Sequence, residues 1–203
     1  MYKEINSCRI CGNTHLESLI VLGEQTLTGV FPKDKSTKIT SGPLELVKCY
    51  SHDGKDVCGL VQLKHSFDSN EMYGDNYGYR SGLNQSMVKH LRGIVSEITK
   101  LIELNEGDVI IDIGGNDSTL LQAYPADKGL NLMVIDPTSN KFKQYYPAHI
   151  NNTADFFTAG TYNKLFDKKA KVISSIAMFY DLEAPQNFVK DIYEVLDDNG
   201  IWV

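Results

Sequence analysis

Apolar residues recur along this chain in two different rhythms. Up to about residue 70 the apolar runs are short. Leu19–Leu22 and Leu44–Lys48 predict brief strands broken by Gly and Pro, with no sustained helical period. Between Asn84 and Leu104, by contrast, Met87, Val88, Leu91, Ile94, Val95, Ile98, Leu101 and Ile102 recur at helical spacing and predict an amphipathic helix. The pattern then alternates. Val109–Ile113 predicts a buried strand, followed by a glycine turn and a helix from about Ser118 to Tyr124. Asn131–Ile135 and Lys171–Ile176 predict further strands, Phe188–Leu196 a helix, and Gly200–Val203 the start of another strand. Strands this apolar, alternating with helices, imply an α/β fold with a parallel sheet covered on both faces. The expected organisation is a small module over 1–70, a tyrosine-rich linker and helix over 71–105, and a Rossmann-like domain over 106–203. That sheet stops inside a strand and reads as truncated.

Composition narrows the classes. The 203 residues are 42% hydrophobic and 23% charged, which describes a globular protein and excludes collagen-like, coiled-coil or disordered chains. Twenty basic against 26 acidic residues leave a net charge of −6, so no basic nucleic-acid footprint is expected. No apolar run is long enough to span a membrane, and MYKEINSCRI lacks the apolar segment of a signal peptide. A cytoplasmic protein is the expectation. In that compartment four cysteines point to metal ligands or free thiols before disulfides.

All four cysteines lie in the module that can bury least. Cys8 and Cys11 form a C-x-x-C followed by Gly12, a turn that aims two thiolates at one ion. Cys49 and Cys58 are separated by the long insertion YSHDGKDV, which offers His52 as a competing ligand. A structural zinc site of Cys8, Cys11, Cys49 and Cys58 is one reading, and four buried thiols in a small core the other.

The run VIIDIGGNDSTLL (109–121) carries the second candidate site. A buried strand ends near Asp112 and turns through Gly114 and Gly115, and Asn116, Asp117 and Ser118 stand where a helix would be capped. Glycines there let the backbone approach a small molecule, while the strand and helix ends supply donors. The G-x-G-x-x-G dinucleotide fingerprint is not met, and Asp112 and Asp117 would repel a pyrophosphate. Acids at this place suit a ligand with a cationic end, such as the amino-acid part of S-adenosylmethionine. Asp136, followed by Pro137, closes the second strand where an acid binds ribose hydroxyls. Asp155 and Phe156 follow the expected third strand, where an acid beside aromatics suits an adenine.

These residues together resemble the sugar-nucleotide methyltransferases, whose best-known members are the C-methyltransferases of deoxysugar biosynthesis. The resemblance runs through CRICG (8–12), GPLELVKC (42–49), CGLVQL (58–63), YGYRSG (77–82) and GGNDSTLL (114–121). It implies an N-terminal zinc-binding domain, a class I methyltransferase sheet and S-adenosylmethionine as cofactor, contacted by the loop, Asp136 and Asp155. It also implies a small-molecule acceptor: a sugar nucleotide or a phosphorylated metabolite, in deoxysugar or capsular polysaccharide biosynthesis. The chain departs from the family in the loop between Cys49 and Cys58 and in SSIAMFYDLEAP (174–185), which lacks an asparagine–histidine character. The family also continues beyond the equivalent of Val203, so the catalytic base is expected outside this sequence, and carbon and oxygen methylation both stay open.

The acceptor-side candidates are Tyr73, Tyr77, Tyr79, Arg80 and His90. Tyr77 and Tyr79 match tyrosines near the family's active site and are the catalytic candidates, with packing as the competing role. Arg80 could pair with an anionic acceptor, whereas His90 reads as structural. Met178, Phe179 and Tyr180 follow the fourth strand, as a wall over the methyl group or as core. A nicotinamide-dependent oxidoreductase and a non-catalytic zinc-stabilised binding protein are the rival readings.

Overall fold

The computed structural model describes residues 2–27, 32–74 and 77–203. The chain forms two compact units, Met1–Gly78 with Glu183–Gln186, and Tyr79–Leu182 with Asn187–Val203.

In the first unit, β1 (Tyr2–Glu4) pairs antiparallel with β5 (His65–Phe67), while β2 (Leu16–Thr26), β3 (Ser41–Cys49) and β4 (Val61–Leu63) form an antiparallel sheet in that order. A one-turn helix, α1 (Ser69–Met72), is capped by Asp68, whose carboxylate accepts from the Asn70 and Glu71 amides. β2 and β3 run well past the apolar stretches that predicted them. The ladder crosses Gly23 (φ +69°) through a shift of register between Val21 and Glu24, so that glycine bends the strand without ending it. Pro43 is tolerated because β4 covers β3 only at Leu46–Lys48, leaving its other edge unpaired there. Among the described residues of 2–74 the buried hydrophobic side chains are Cys8, Val47 and Cys49, too few to hold a sheet without a staple.

In the second unit, five strands lie parallel in the order β10-β9-β6-β7-β8, with β6 Val109–Ile113, β7 Asn131–Ile135, β8 Ile150–Thr153, β9 Ala170–Ser174 and β10 Leu196–Trp202. Successive side chains point to opposite faces. Ile110, Leu132, Val134 and Val172 meet α2 (Gln85–Leu101) through its buried Leu91, Val95 and Ile98. Val109, Ile111, Ile113, Met133 and Ile135 face the other way, against Phe157, Tyr162 of α3 (Ala159–Asn163), and Phe188, Ile192 and Val195 of α4 (Pro185–Val195). Complete burial of Ile110 and Ile111 contributes about 1.5–3 kcal/mol each.

The helix expected over 118–124 does not form. Ser118 takes a left-handed backbone (φ +64°) and only a single 3-10 turn, Leu121–Ala123, follows. Pro125 holds Tyr124 extended (ψ 145°), which ends any helix before it can propagate. The fourth strand also ends at Ser174, two residues short of the expected Ile176.

Candidate cofactor site and metal centre

The strand order places β6 at the point where the winding reverses. From β6 the chain proceeds outward through β7 to β8, then crosses back to β9 on the other side of β6. In sheets of this kind the crevice outside the carboxyl ends of the strands at the reversal is the ligand site. Asp112 lies there among the last residues of β6 and Gly114–Ser118 directly after it, Asp136 and Pro137 after β7, and Ser175–Met178 after β9.

Asp112 is buried on the α2 side of the sheet, and its Oδ1 accepts a 2.6 Å hydrogen bond from Ser174 Oγ. Desolvation pushes its carboxyl up to about 7; the Ser174 hydroxyl opposes this and the Asp136 charge adds to it. Gly115 lies against the same carboxyl, since a Cβ there would stand 2.7 Å from Asp112 Oδ2. Asp112 therefore props the loop from beneath. Gly114 is exposed, with φ +69°.

Asn116 has a left-handed backbone (φ +53°), an uncommon conformation that only dense local bonding sustains. Its N–H donates to Asp136 Oδ2 (2.8 Å), and its carbonyl accepts from the Tyr146 hydroxyl (2.6 Å). Its Oδ1 accepts from Ser81 N–H (3.1 Å), and its Nδ2 donates to the Tyr79 carbonyl (3.0 Å). Asp117, almost fully buried, takes Thr119 on one oxygen and the Gly82 N–H (2.9 Å) and Arg80 Nη1 (3.2 Å) on the other. The Arg80 guanidinium lies 4.0 Å above the Tyr145 ring. Ser118 is fully buried and accepts from Gln122 Nε2.

Asp136 is buried too. Its Oδ1 accepts from the Thr138 amide (2.6 Å) and hydroxyl (2.7 Å), and its Oδ2 from Asn116 N–H. A carboxylate offers about four lone-pair sites, so three are used and about one is left for a ligand hydroxyl unless Thr138 rotates away. Pro137 is half-buried beside it. Asp155 and Phe156 are exposed beyond the end of β8, with Asp155 Oδ1 accepting the Phe156 amide, while Phe157 turns into the core.

The other candidates fall elsewhere. Tyr77 belongs to the N-terminal unit, where its ring meets Tyr73 edge-on at 5.6 Å; Tyr79 belongs to the sheet unit and is 46% exposed. Residues 75 and 76 of that stretch lie outside the described residues. His90 is exposed on α2. Phe179 stacks on Phe188 and Trp202 and Met178 packs against the same cluster, whereas Tyr180 is exposed. Ser174, Tyr145 and Tyr146 were not anticipated. A lone Ser, or a Tyr pair in a polar segment, carries no local signal of a partner distant in sequence.

The four cysteines converge in the N-terminal unit, their sulfurs all within 4.8 Å of one another. Cys8 and Cys58 approach to 3.4 Å, Cys11 and Cys49 to 3.5 Å. Tetrahedral zinc with bonds of about 2.3 Å requires sulfur–sulfur edges of about 3.8 Å, a length within the range these four sulfurs span. Gly12 and Gly59, each directly after a cysteine, have φ +73° and +70°, which lets the backbone fold tightly around both knuckles. The Cys58 N–H, then that of Asn13, holds the Cys11 thiol down near 6. Cys58 accepts from the Leu60 amide, yet burial and three crowded thiols push it up to about 12. Four thiols cannot all ionise side by side without a cation, and a divalent ion removes that conflict. His52 stays out of the cage, its ring against Tyr50 at 4.9 Å and His15 at 6.2 Å.

Comparison with known proteins gives the same division. Residues 8–73 match the Methyltransf_13 family, described as "Putative zinc binding domain". The C-methyltransferase NovU of Streptomyces niveus is 26% identical over 140 residues, 68% of this chain and 31% of that protein. A Dictyostelium discoideum protein named "Probable inactive O-methyltransferase 11" is 25% identical over 120 residues, 56% of this chain and 34% of its own. The chain thus spans about a third of the length of the curated relatives it matches. A SAM-dependent methyltransferase from Thiobacillus denitrificans, solved with S-adenosyl-L-homocysteine, aligns with a TM-score of 0.39 at 15% identity, over 56% of this chain and 46% of its own. The sheet unit is a parallel α/β sheet whose strand order reverses at β6, and the unit before it carries the four cysteines. Among the described residues no helix is long and apolar enough to cross a membrane.

Proposed function

We propose that this chain binds S-adenosylmethionine at the carboxyl ends of β6, β7 and β8 and takes part in methyl transfer to a small acceptor. The observation that carries this reading is the reversal of strand order at β6. It sets an exposed glycine, Gly114, beside a loop tied directly to the acid that ends β7, Asp136. The likeness to NovU supports it. Gly114 and Gly115 let the backbone approach the methionyl end, with Asp112 and Ser118 supporting the loop. Asp136 holds a ribose hydroxyl on its remaining acceptor site while Pro137 shapes the floor. Asp155 accepts from the adenine amino group, with Phe156 against the ring. When bound, the cofactor supplies an electrophilic methyl carbon on a sulfonium. The chain's own work is to orient it in line with the acceptor atom and exclude water, mainly a matter of position.

The acceptor on this reading is a sugar nucleotide or phosphorylated metabolite of deoxysugar or surface-polysaccharide synthesis, with Tyr79 on the acceptor side. Cys8, Cys11, Cys49 and Cys58 hold a structural zinc ion that staples the N-terminal unit. The deciding experiment is calorimetric titration with S-adenosylhomocysteine, with NADH as control. Micromolar binding of the first alone is expected; binding of NADH alone overturns the reading in favour of an oxidoreductase. Bound zinc with affinity for neither ligand overturns it in favour of a zinc-stabilised binding protein, the reading that kinship with a protein named inactive would favour.

A further inference from the structure

We infer that Asn116 and Asp117 are positioning residues which latch the segment Tyr79–Gly82 onto the glycine loop, and that they do not themselves contact the cofactor; the functional meaning of the latch rests on the reading just proposed. Every hydrogen-bonding group of Asn116 is already engaged. Its amide goes to Asp136, its carbonyl to Tyr146, and both ends of its side chain to the backbone of residues 79 and 81. Each already has a partner within the chain, so a ligand would have to share it. Asp117 is equally committed, with one oxygen on Thr119 and the other shared by the Gly82 amide and the Arg80 guanidinium.

The Arg80–Asp117 pair is shielded from solvent, with side chains 19% and 2% exposed, so its attraction is screened far less than that of a surface pair. Tyr145 closes the other face of the guanidinium at 4.0 Å. Gly82 is required at its position, because a Cβ there would stand 2.6 Å from Asp117 Oδ2. The left-handed backbone of Asn116 costs of order 1 kcal/mol or more, and these bonds hold it in place. One residue therefore joins the Asp136 carboxylate to the segment that carries Tyr79. Any ligand that draws on Asp136 is linked through Asn116 to how firmly residues 79–82 are held, and the linkage is reciprocal.

The test is amide hydrogen exchange of the whole chain, read at Ser81 and Gly82, with S-adenosylhomocysteine affinity measured in parallel. Asn116→Gly removes the side chain while keeping the left-handed backbone accessible, and Asp117→Asn removes the charge. Exchange at residues 81–82 is expected to accelerate about 10- to 100-fold, with Val109–Ile113 still protected and ligand affinity changed by less than about tenfold. Unchanged exchange at 81–82 with affinity lost by two orders of magnitude overturns the inference and makes both side chains direct ligands. If Asn116→Gly unfolds, seen as lost protection in Val109–Ile113, Arg80→Ala releases the latch from its other side and Arg80→Lys should restore it only partly. If the unaltered chain binds no S-adenosylhomocysteine, the proposed function fails, while exchange at 81–82 still decides the latch.

Discussion

Asp112→Asn should stabilise the sheet unit at high pH and gain much less at low pH. The carboxyl is completely desolvated, and its pKa rises from an unfolded value of 3.8 to about 7 in the fold. Between those values the native state keeps a proton that the unfolded chain has released. Stability therefore falls as pH rises through the window, and the loss is complete only above the folded pKa. A displacement from 3.8 to about 7 corresponds to about 4 kcal/mol at pH 8, and to about 2 kcal/mol at pH 5. The protonated state is well provided for. Asp112 can donate to Ser174 Oγ, freeing the Ser174 hydroxyl to donate to the Ile111 carbonyl 3.3 Å away. An asparagine amide can donate to Ser174 in the same way but has no charge to lose. Any pH-independent cost of the substitution, and the titration of the distant cysteines, cancels when the two proteins are compared at two pH values. The single tryptophan, Trp202, ends β10 in this unit and donates from Nε1 to Ser175 Oγ (2.8 Å), so its fluorescence reports unfolding of the sheet. Urea midpoints at pH 5 and pH 8 should show the variant's advantage growing by about 2–3 kcal/mol, or about 1 M urea. An advantage that is the same at both pH values would refute the assignment of a buried, proton-holding Asp112.

Three further outcomes are expected. Ser174→Ala removes the hydroxyl that counteracts desolvation of Asp112, so the carboxyl should titrate still higher; an Asp112 carboxyl signal followed by NMR that moves down or stays put would contradict this. Chelation of the metal should unfold the N-terminal unit with Trp202 fluorescence retained, and metal analysis should find about one zinc per chain; a stable, metal-free preparation removes the staple from the argument. Asp136→Ala should weaken S-adenosylhomocysteine binding about 10- to 100-fold by calorimetry, and unaltered affinity returns Asp136 to a purely structural role as the acceptor for Asn116 and Thr138.

The sequence by itself determined much of this protein because much of it is local. The alternation of Val109–Ile113 and Asn131–Ile135, the helical spacing of Leu91, Val95 and Ile98, and a C-x-x-C followed by glycine each record their own backbone conformation and burial. The two Cys–Gly knuckles could be read before their partners were known. The failed helix after Ser118 marks the limit of that reading, since capping residues and apolar spacing were outweighed by a left-handed serine and by Pro125. Only the tertiary structure decided what the acids do. Asp112 meets Ser174 across 62 positions of sequence, and Asp117 meets Arg80 across 37. Those partners are brought together by the return crossing from β8 to β9 and by the packing of the segment before α2. Propensity and periodicity describe a residue and its near neighbours. The charge state of a buried carboxylate depends on which distant groups desolvate and pair with it, and only the assembled sheet supplies them.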